Sequence, residues 1–265
     1  MKTKIKGIIN FFEPIIKNTK NWPILIFNRL NLLNNKILIY KFKDGSNLKI
    51  DNVHGKFKSS GMATITDIFI KKTYNPSDMK INAKDTIIDI GANVGIFSIY
   101  GSMKAPLGKV YSFEPFEKHF SKLNKNIKLN NLKNIKIFNL AVDKDDVPKN
   151  FFVSETHTGA HSLIKNDNSS LKTKTRCISL ENVFKKNKIK VCDFMKIDCE
   201  GGEYNILYGA SDKILNKIKK ISLEFDNIDD KKRNGLALKN FLIEKGFNVN
   251  ILGERNPNGI IYAKK

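Results

Sequence analysis

The sequence predicts an α/β fold: a mostly parallel sheet with helices on both faces. Three observations carry this. Short apolar runs alternate with helical segments from residue 81 onward. Several of those runs, such as Thr86-Ile87-Ile88-Asp89-Ile90, are nearly continuous in apolar residues, as strands buried on both faces are. The chain has 265 residues with 41% hydrophobic and 28% charged side chains, which excludes disorder and suits one α/β domain with appendages.

Residues 1–35 read as one or two amphipathic helices. Ile5, Ile8, Ile9, Phe12, Ile15 and Ile16 recur at helical spacing with lysines between them. That stripe suits docking on the protein's own core or on a twin subunit, hence a homodimer through these helices, before adhesion to a membrane surface. Ile37–Phe42, the turn Lys43-Asp44-Gly45-Ser46 and Leu48-Lys49-Ile50 form a β-hairpin pattern, while Thr64–Ile70 fits either a strand or a short helix. The alternation then runs strand 86–90, helix 94–103, strand 109–113, helix 117–130 and strand 135–138. It resumes with strand 194–197, helix 204–215, strand 220–225, helix 235–245, strand 247–252 and a last short strand 259–263. The insertion 143–180 breaks the rhythm and is expected to form a hairpin or flap over the carboxyl edge of the sheet, where the ligands of such sheets lie. The expected organisation is an N-terminal helical and hairpin region, 1–70, followed by a ligand-binding domain, 71–265.

Neither the segment around Phe11-Phe12 nor the stretch Trp22–Leu33 reaches the ~20 apolar residues of a membrane span. Met1-Lys2-Thr3-Lys4 has the charge of a leader, but the apolar part after it is too short and no small-residue cleavage site follows. Cys177, Cys192 and Cys199 fit no paired framework, so the expected location is the cytoplasm. The net charge is +21, yet only Arg29, Arg176, Arg233 and Arg255 are arginine. The excess of Lys, Asn and Ile is what AT-rich coding produces, and a nucleic-acid reader would use Arg for bidentate base contacts. The charge therefore belongs to a solvated surface, or to a field that attracts an anionic substrate or anionic lipids.

Four strand ends carry chemistry. In Asp89-Ile90-Gly91-Ala92-Asn93-Val94-Gly95 an acid closes a strand and a glycine-containing turn enters a helix. The helix N-terminus suits a carboxylate and Asp89 an ammonium group, the two ends of an amino acid. The methionine end of S-adenosylmethionine has both. A dinucleotide site would show GxGxxG instead. Glu114, in Phe113-Glu114-Pro115, sits at the end of the next strand, about 20 residues on, where a carboxylate accepts a ribose diol. Ala141 and Val142 leave room for an adenine ring, with Asp143 to accept from its amino group. Last, Lys196-Ile197-Asp198-Cys199-Glu200-Gly201-Gly202-Glu203 crowds three carboxylates at one strand end, and Glu224 ends the neighbouring strand. Such crowding marks a candidate functional site.

Together these motifs resemble the FkbM family of S-adenosylmethionine-dependent methyltransferases, over residues 70–226. Leu123, Asn126, Leu129-Asn130, His161-Ser162-Leu163, Ile178-Ser179-Leu180-Glu181 and Leu207-Tyr208-Gly209-Ala210 support the likeness. Gly202 departs from the family's frequent alanine, and residues 1–65 match no motif. The resemblance implies a class I Rossmann-like methyltransferase fold, whose seven-stranded sheet has an antiparallel last strand, and O-methylation, commonly of sugars or natural products. The expected acceptor is a nucleotide-linked or phosphorylated sugar, and no nucleic acid: Asp198-Cys199-Glu200-Gly201 has neither Asn/Asp-Pro-Pro-Tyr nor a Pro-Cys nucleophile. Gly91, Ala92, Asn93, Gly95, Glu114 and Pro115 are the expected cofactor residues, with Asp89, Ala141, Val142, Asp143 and Asp198. Asp198, Glu200, Glu224 and the flap-borne His161 are the candidate bases for the acceptor hydroxyl. The same acids are a candidate Mg²⁺ site, although no ligand set is assigned.

Overall fold

A computed structural model describes residues 12–29, 32, 36–52, 60–153, 171–229, 231–254 and 256–265. Its centre is a seven-stranded sheet of β3 (Thr86–Ile90), β4 (Lys109–Phe113), β5 (Ile135–Phe138), β10 (Phe194–Ile197), β11 (Lys220–Asp226), β12 (Asn248–Leu252) and β13 (Asn258–Lys264). The order across the sheet is β12-β13-β11-β10-β3-β4-β5. All neighbours run parallel except β13, which is antiparallel to both β11 and β12. Seven strands with a reversed last strand are what the resemblance to the FkbM family implies. In β10 all four residues are buried, which is why its sequence lacks alternation.

The register aligns the strands so that their polar residues meet. Lys196 pairs with Asp89 and with Ser222, and Asp89 pairs with Ser112. Residues in register share a face, so a polar row crosses an otherwise apolar sheet. The strand order reverses between β10 and β3, and β3 sends its crossover one way while β10 sends its own the other. A crevice opens there beyond the carboxyl ends.

Both faces are covered. On one, α5 (Leu180–Asn187), α6 (Glu203–Tyr208), α7 (Asp212–Leu215) and α8 (Gly235–Glu244) bury Val183, Phe184, Leu207, Leu215, Leu238 and Leu242 against the sheet. On the other lie α3 (Ile96–Lys104) and α4 (Glu117–Leu129). The hairpin of β1 (Ile37–Lys41) and β2 (Asn47–Asp51) joins this second core through Leu38, Tyr40, Leu48 and Ile50. The segment before β3 therefore shares one core with Ile87, Phe97 and Phe194, and residue 70 does not divide two cores.

Residues 12–18 are helical, and α1 (Trp22–Arg29) follows after Thr19 bridges to Phe42. Of the expected amphipathic stripe, Ile15 is buried in the second core; Ile5, Ile8 and Ile9 lie outside the described residues. The segment 64–70 is helical, as α2 (Ser60–Ile65) running into a π-helical stretch, Thr66–Lys71. The single helix expected over 204–215 is two, α6 and α7. Ser211 caps α7 in an extended conformation, and its N donates to Glu181 at 2.8 Å. In the insertion, β6 (Ala141–Asp143) pairs with β9 (Cys177–Ser179), and β7 (Lys149–Val153) forms a hairpin with β8 (Leu171–Thr175). Among the described residues no helix is long and apolar enough to cross a membrane.

Asn126 joins three of these parts. It is 1% exposed; its Oδ1 accepts from Asp51 N at 2.9 Å and its Nδ2 donates to Val94 O at 2.8 Å. Asn126→Ala leaves two buried backbone groups unpaired, a loss of about 2–4 kcal/mol. Urea unfolding is the measurement; a loss under about 0.5 kcal/mol would show that water replaces both bonds.

Candidate active site

Four strand ends line the crevice, and the turn leaving β3 sets its floor. Gly91, Asn93 and Gly95 have φ of 73°, 50° and 90°, so the chain reverses in the left-handed region before α3 begins. Gly91 has no alternative: a Cβ there would fall 1.8 Å from Asp198 O, so the ends of β3 and β10 touch backbone to backbone. Phe113 O accepts from Gly91 N and Ala92 N, at 3.1 and 2.9 Å.

Glu114 locks this turn to the end of β4. Its Oε2 accepts from Asn93 N at 2.8 Å and its Oε1 from Phe116 N at 2.9 Å. Asn139 Nδ2 holds the carbonyls of Glu114 and Pro115, each at 3.1 Å. Burial pushes the Glu114 carboxyl up to about 7, against the pull of the two N–H bonds.

Lys196 forms the centre. Only 3% exposed, it extends from β10 and donates to Gly91 O at 2.9 Å. Its Nζ lies 3.1 Å from Asp198 Oδ2 and 3.5 Å from Asp89 Oδ1. Burial opposes this charge, but Asp198 and Asp89 outweigh it and hold the ammonium above the ordinary lysine range. Asp89 has no solvent exposure, and Ser98 Oγ donates to its other oxygen at 2.6 Å. Burial raises its carboxyl against the pull of Lys196 and Ser98. The ammonium that Asp89 faces is thus the chain's own.

Acids crowd the rim. Tyr74, from the segment before β3, directs its phenol at two of them: Asp198 Oδ2, at 3.1 Å, and Glu224 Oε1. Glu224 is exposed along one side, while burial of its carboxyl and the Asp198 charge raise it to about 7. Glu200 takes a left-handed φ of 53° ahead of Gly201 at 93°. Its carboxyl rises to about 8, from burial first and then from Asp198, Asp226 and Glu224. Glu203, 1% exposed, accepts from Gly201 N and Asp226 N at 3.0 and 3.3 Å and so ties the turn to β11.

The structure therefore brings Asp198, Glu200 and Glu224 together beside the Gly91–Gly95 turn and Glu114. His161 lies outside the described residues. Ala141 and Val142 are buried in strand pairing with β9, and Asp143, 1% exposed, is paired with Lys149 rather than open to an adenine amino group. Among the described residues no three or more His, Cys, Asp or Glu side chains are grouped to hold a metal ion. An open concavity lined by Pro148, Lys149, Asn150, Phe152 and Lys174 belongs to the β7–β8 hairpin and contains none of these acids. Sequence reasoning missed Lys196 and Tyr74 as site residues. A charge inside a four-residue buried strand is a signal for the first; the second has none, standing alone in a turn.

The family model for the methyltransferase FkbM domain matches residues 89–249. AMB antimetabolite synthetase AmbE of Pseudomonas aeruginosa is 25% identical over 70% of this chain; the chain spans 10% of that relative's length. Methyltransferase 1 of Beauveria bassiana is 23% identical over 69% of this chain and 79% of its own. The 31-O-demethyl-FK506 methyltransferase FkbM of Streptomyces tacrolimicus is 20% identical over 72% and 82%. Among solved structures, M. jannaschii TYW2 in complex with AdoMet overlaps 88% of this chain and 87% of its own, at 15% identity and a TM-score of 0.46. A putative methyltransferase from Streptococcus mutans in complex with SAH overlaps 74% and 97%, at 14% identity and a TM-score of 0.47.

The raised carboxyls make stability depend on pH. Glu114, Glu200, Glu203 and Glu224 all stand above the ordinary value of 4.5, at about 7 to 8. The folded protein then binds more protons than the unfolded chain between those limits, so their contribution is complete below about 4.5 and is lost as pH climbs through 7 to 8. The midpoint of thermal unfolding should fall from pH 5.5 to 8.5, and Glu200→Gln should flatten that fall. A midpoint that rises across this window would mean the acids are not crowded as described.

Proposed function

Since the chain belongs to the methyltransferase FkbM family, we propose that it moves a methyl group from S-adenosylmethionine to a hydroxyl of a small anionic molecule, at the carboxyl edge of its sheet. The observation that carries this reading is Glu114, held between two backbone N–H groups of adjacent crossover turns. A carboxylate fixed in this way keeps lone pairs for a ribose diol, and the first turn of α3 offers N–H groups to the carboxylate of the methionine end.

S-adenosylmethionine supplies a methyl already activated on a sulfonium, so the protein's work is alignment and removal of the acceptor's proton. Of the candidate bases, Glu224 suits this best. It reaches solvent, and its carboxyl at about 7 is poised between holding and taking a proton near neutrality. Asp198 serves Lys196 and Tyr74, and Glu200, raised to about 8, holds its proton near neutrality.

A nucleotide-linked or phosphorylated sugar, of the kind built into bacterial capsule or lipopolysaccharide, suits the lysine-rich surface, which would speed the encounter with an anion. A natural-product hydroxyl is the second reading, favoured by the name of the Streptomyces relative. The reaction is placed in the cytoplasm, which suits the free thiols Cys177, Cys192 and Cys199. A homodimer through the N-terminal helices would cover Trp22, Ile24 and Phe27, which face outward from α1.

The test is incubation with S-adenosylmethionine and a panel of nucleotide-sugars and hydroxylated natural products, read by mass spectrometry for one added methyl. Glu224→Gln should lower kcat at least about 100-fold while calorimetry with S-adenosylhomocysteine gives nearly unchanged affinity. Wild-type turnover in that variant would remove Glu224 as the base; no heat with S-adenosylhomocysteine would remove the cofactor.

A further inference from the structure

Tyr74 lies before the segment that the family model matches, yet it reaches the middle of the acids. The loop that carries it is pinned on both sides. Tyr262 OH donates to Thr73 O at 2.6 Å, Asn75 Nδ2 donates to Tyr100 OH at 3.0 Å, and Asn75 Oδ1 accepts from Ile81 N at 3.1 Å. The ring is 6% exposed and meets Phe97 edge-on, with centroids 5.6 Å apart. Lys196 Nζ lies 5.4 Å from the Tyr74 ring centre. With ring and backbone both held, the phenol oxygen has one place to be, between Asp198 and Glu224.

A phenol carries one hydrogen, and here two carboxylates face it. Asp198 has Lys196 as counterion, at 3.1 Å. Glu224 has no cation within ion-pair distance among the described residues, so the phenol is its compensating donor. We propose that Tyr74 is a positioning residue for methyl transfer: its single hydrogen joins Asp198 and Glu224 into one ionisable pair and keeps Glu224 able to accept the acceptor's proton. This rests on the assignment of Glu224 as the base.

The surroundings favour that role. Burial and the two acids hold the Tyr74 hydroxyl well above the ordinary tyrosine value, so it stays a donor through the working range. The groups facing Glu224 are Lys196 from β10, Asp198 and Glu200 from the turn after it, Asp226 from Glu224's own strand and Tyr262 from β13. Of these the acids disfavour its charge, while Lys196 and the Tyr74 hydrogen bond favour it. Removing the phenol oxygen takes away one of two opposing influences, and the Glu224 carboxyl should rise further.

Tyr74→Phe keeps the ring and deletes the donor. The experiment follows the Glu224 side-chain carboxyl carbon by NMR across pH 5–9 in the full chain, the signal being assigned by its loss in Glu224→Gln. In Tyr74→Phe the midpoint should move up by roughly half a unit or more, with the fold retained by circular dichroism. With an acceptor from the panel in hand, kcat at pH 7 should fall and recover toward pH 9, with KM little changed. An unmoved or lowered midpoint overturns the proposal, as does a kcat loss equal at every pH. Should Tyr74→Phe fail to fold, Tyr74→Leu also deletes the donor and should raise the midpoint in the same direction; an unmoved or lowered midpoint there overturns the proposal too. The titration needs no turnover, so wild-type kcat in Glu224→Gln would sink the base assignment separately.

Discussion

A lysine ammonium closed inside a parallel sheet is the constraint on which the rest is built. Lys196 ends on Gly91 O, Asp89 and Asp198, groups from two strand ends. Such a charge is tolerable only when its partners are in place, and removing one partner of a buried pair costs about 3–5 kcal/mol. The partners are therefore held to narrow positions. Gly91 must approach Asp198 without a Cβ, Ser98 must share the load on Asp89, and the polar row across the sheet follows from the strand register that puts Lys196 beside Asp89. Chemistry at the rim inherits this order, because Asp198 is both a ligand of the ammonium and a neighbour of Glu224.

The segment before β3 is part of the same construction. It contributes Tyr74 to the site and Leu38, Tyr40, Leu48 and Ile50 to a core shared with α3 and β10. The site is thus assembled from both ends of the chain, since Tyr262 on β13 fixes the carbonyl next to Tyr74.

Much of this was legible from residues alone. Parallel strands read as apolar runs because both their faces are buried, and the glycine turn after β3 stands out because Gly91 and Gly95 occupy positions a side chain would strain or block. Glu114 and the acids at 198–203 stand at strand ends, which the alternation locates. What pattern does not reveal is where a side chain points. Asp89 and Asp143 resemble open acids in the sequence, but each is enclosed by a lysine far from it in the chain or six residues on. Tyr74 was invisible because its partners lie 124 and 150 residues away. The break between α6 and α7 falls at Gly209-Ala210-Ser211, where Ser211 caps the second helix.

The sheet order has a further consequence for anyone dissecting the molecule. The family match ends at residue 249, but β13, at 258–264, lies inside the sheet between β11 and β12. Excising the matched segment would strip β11 of the strand it pairs with over seven residues and cut β12 itself after its second residue. A raw strand edge of that length invites intermolecular pairing and insolubility. The recognisable stretch of sequence is accordingly shorter than the sheet it belongs to.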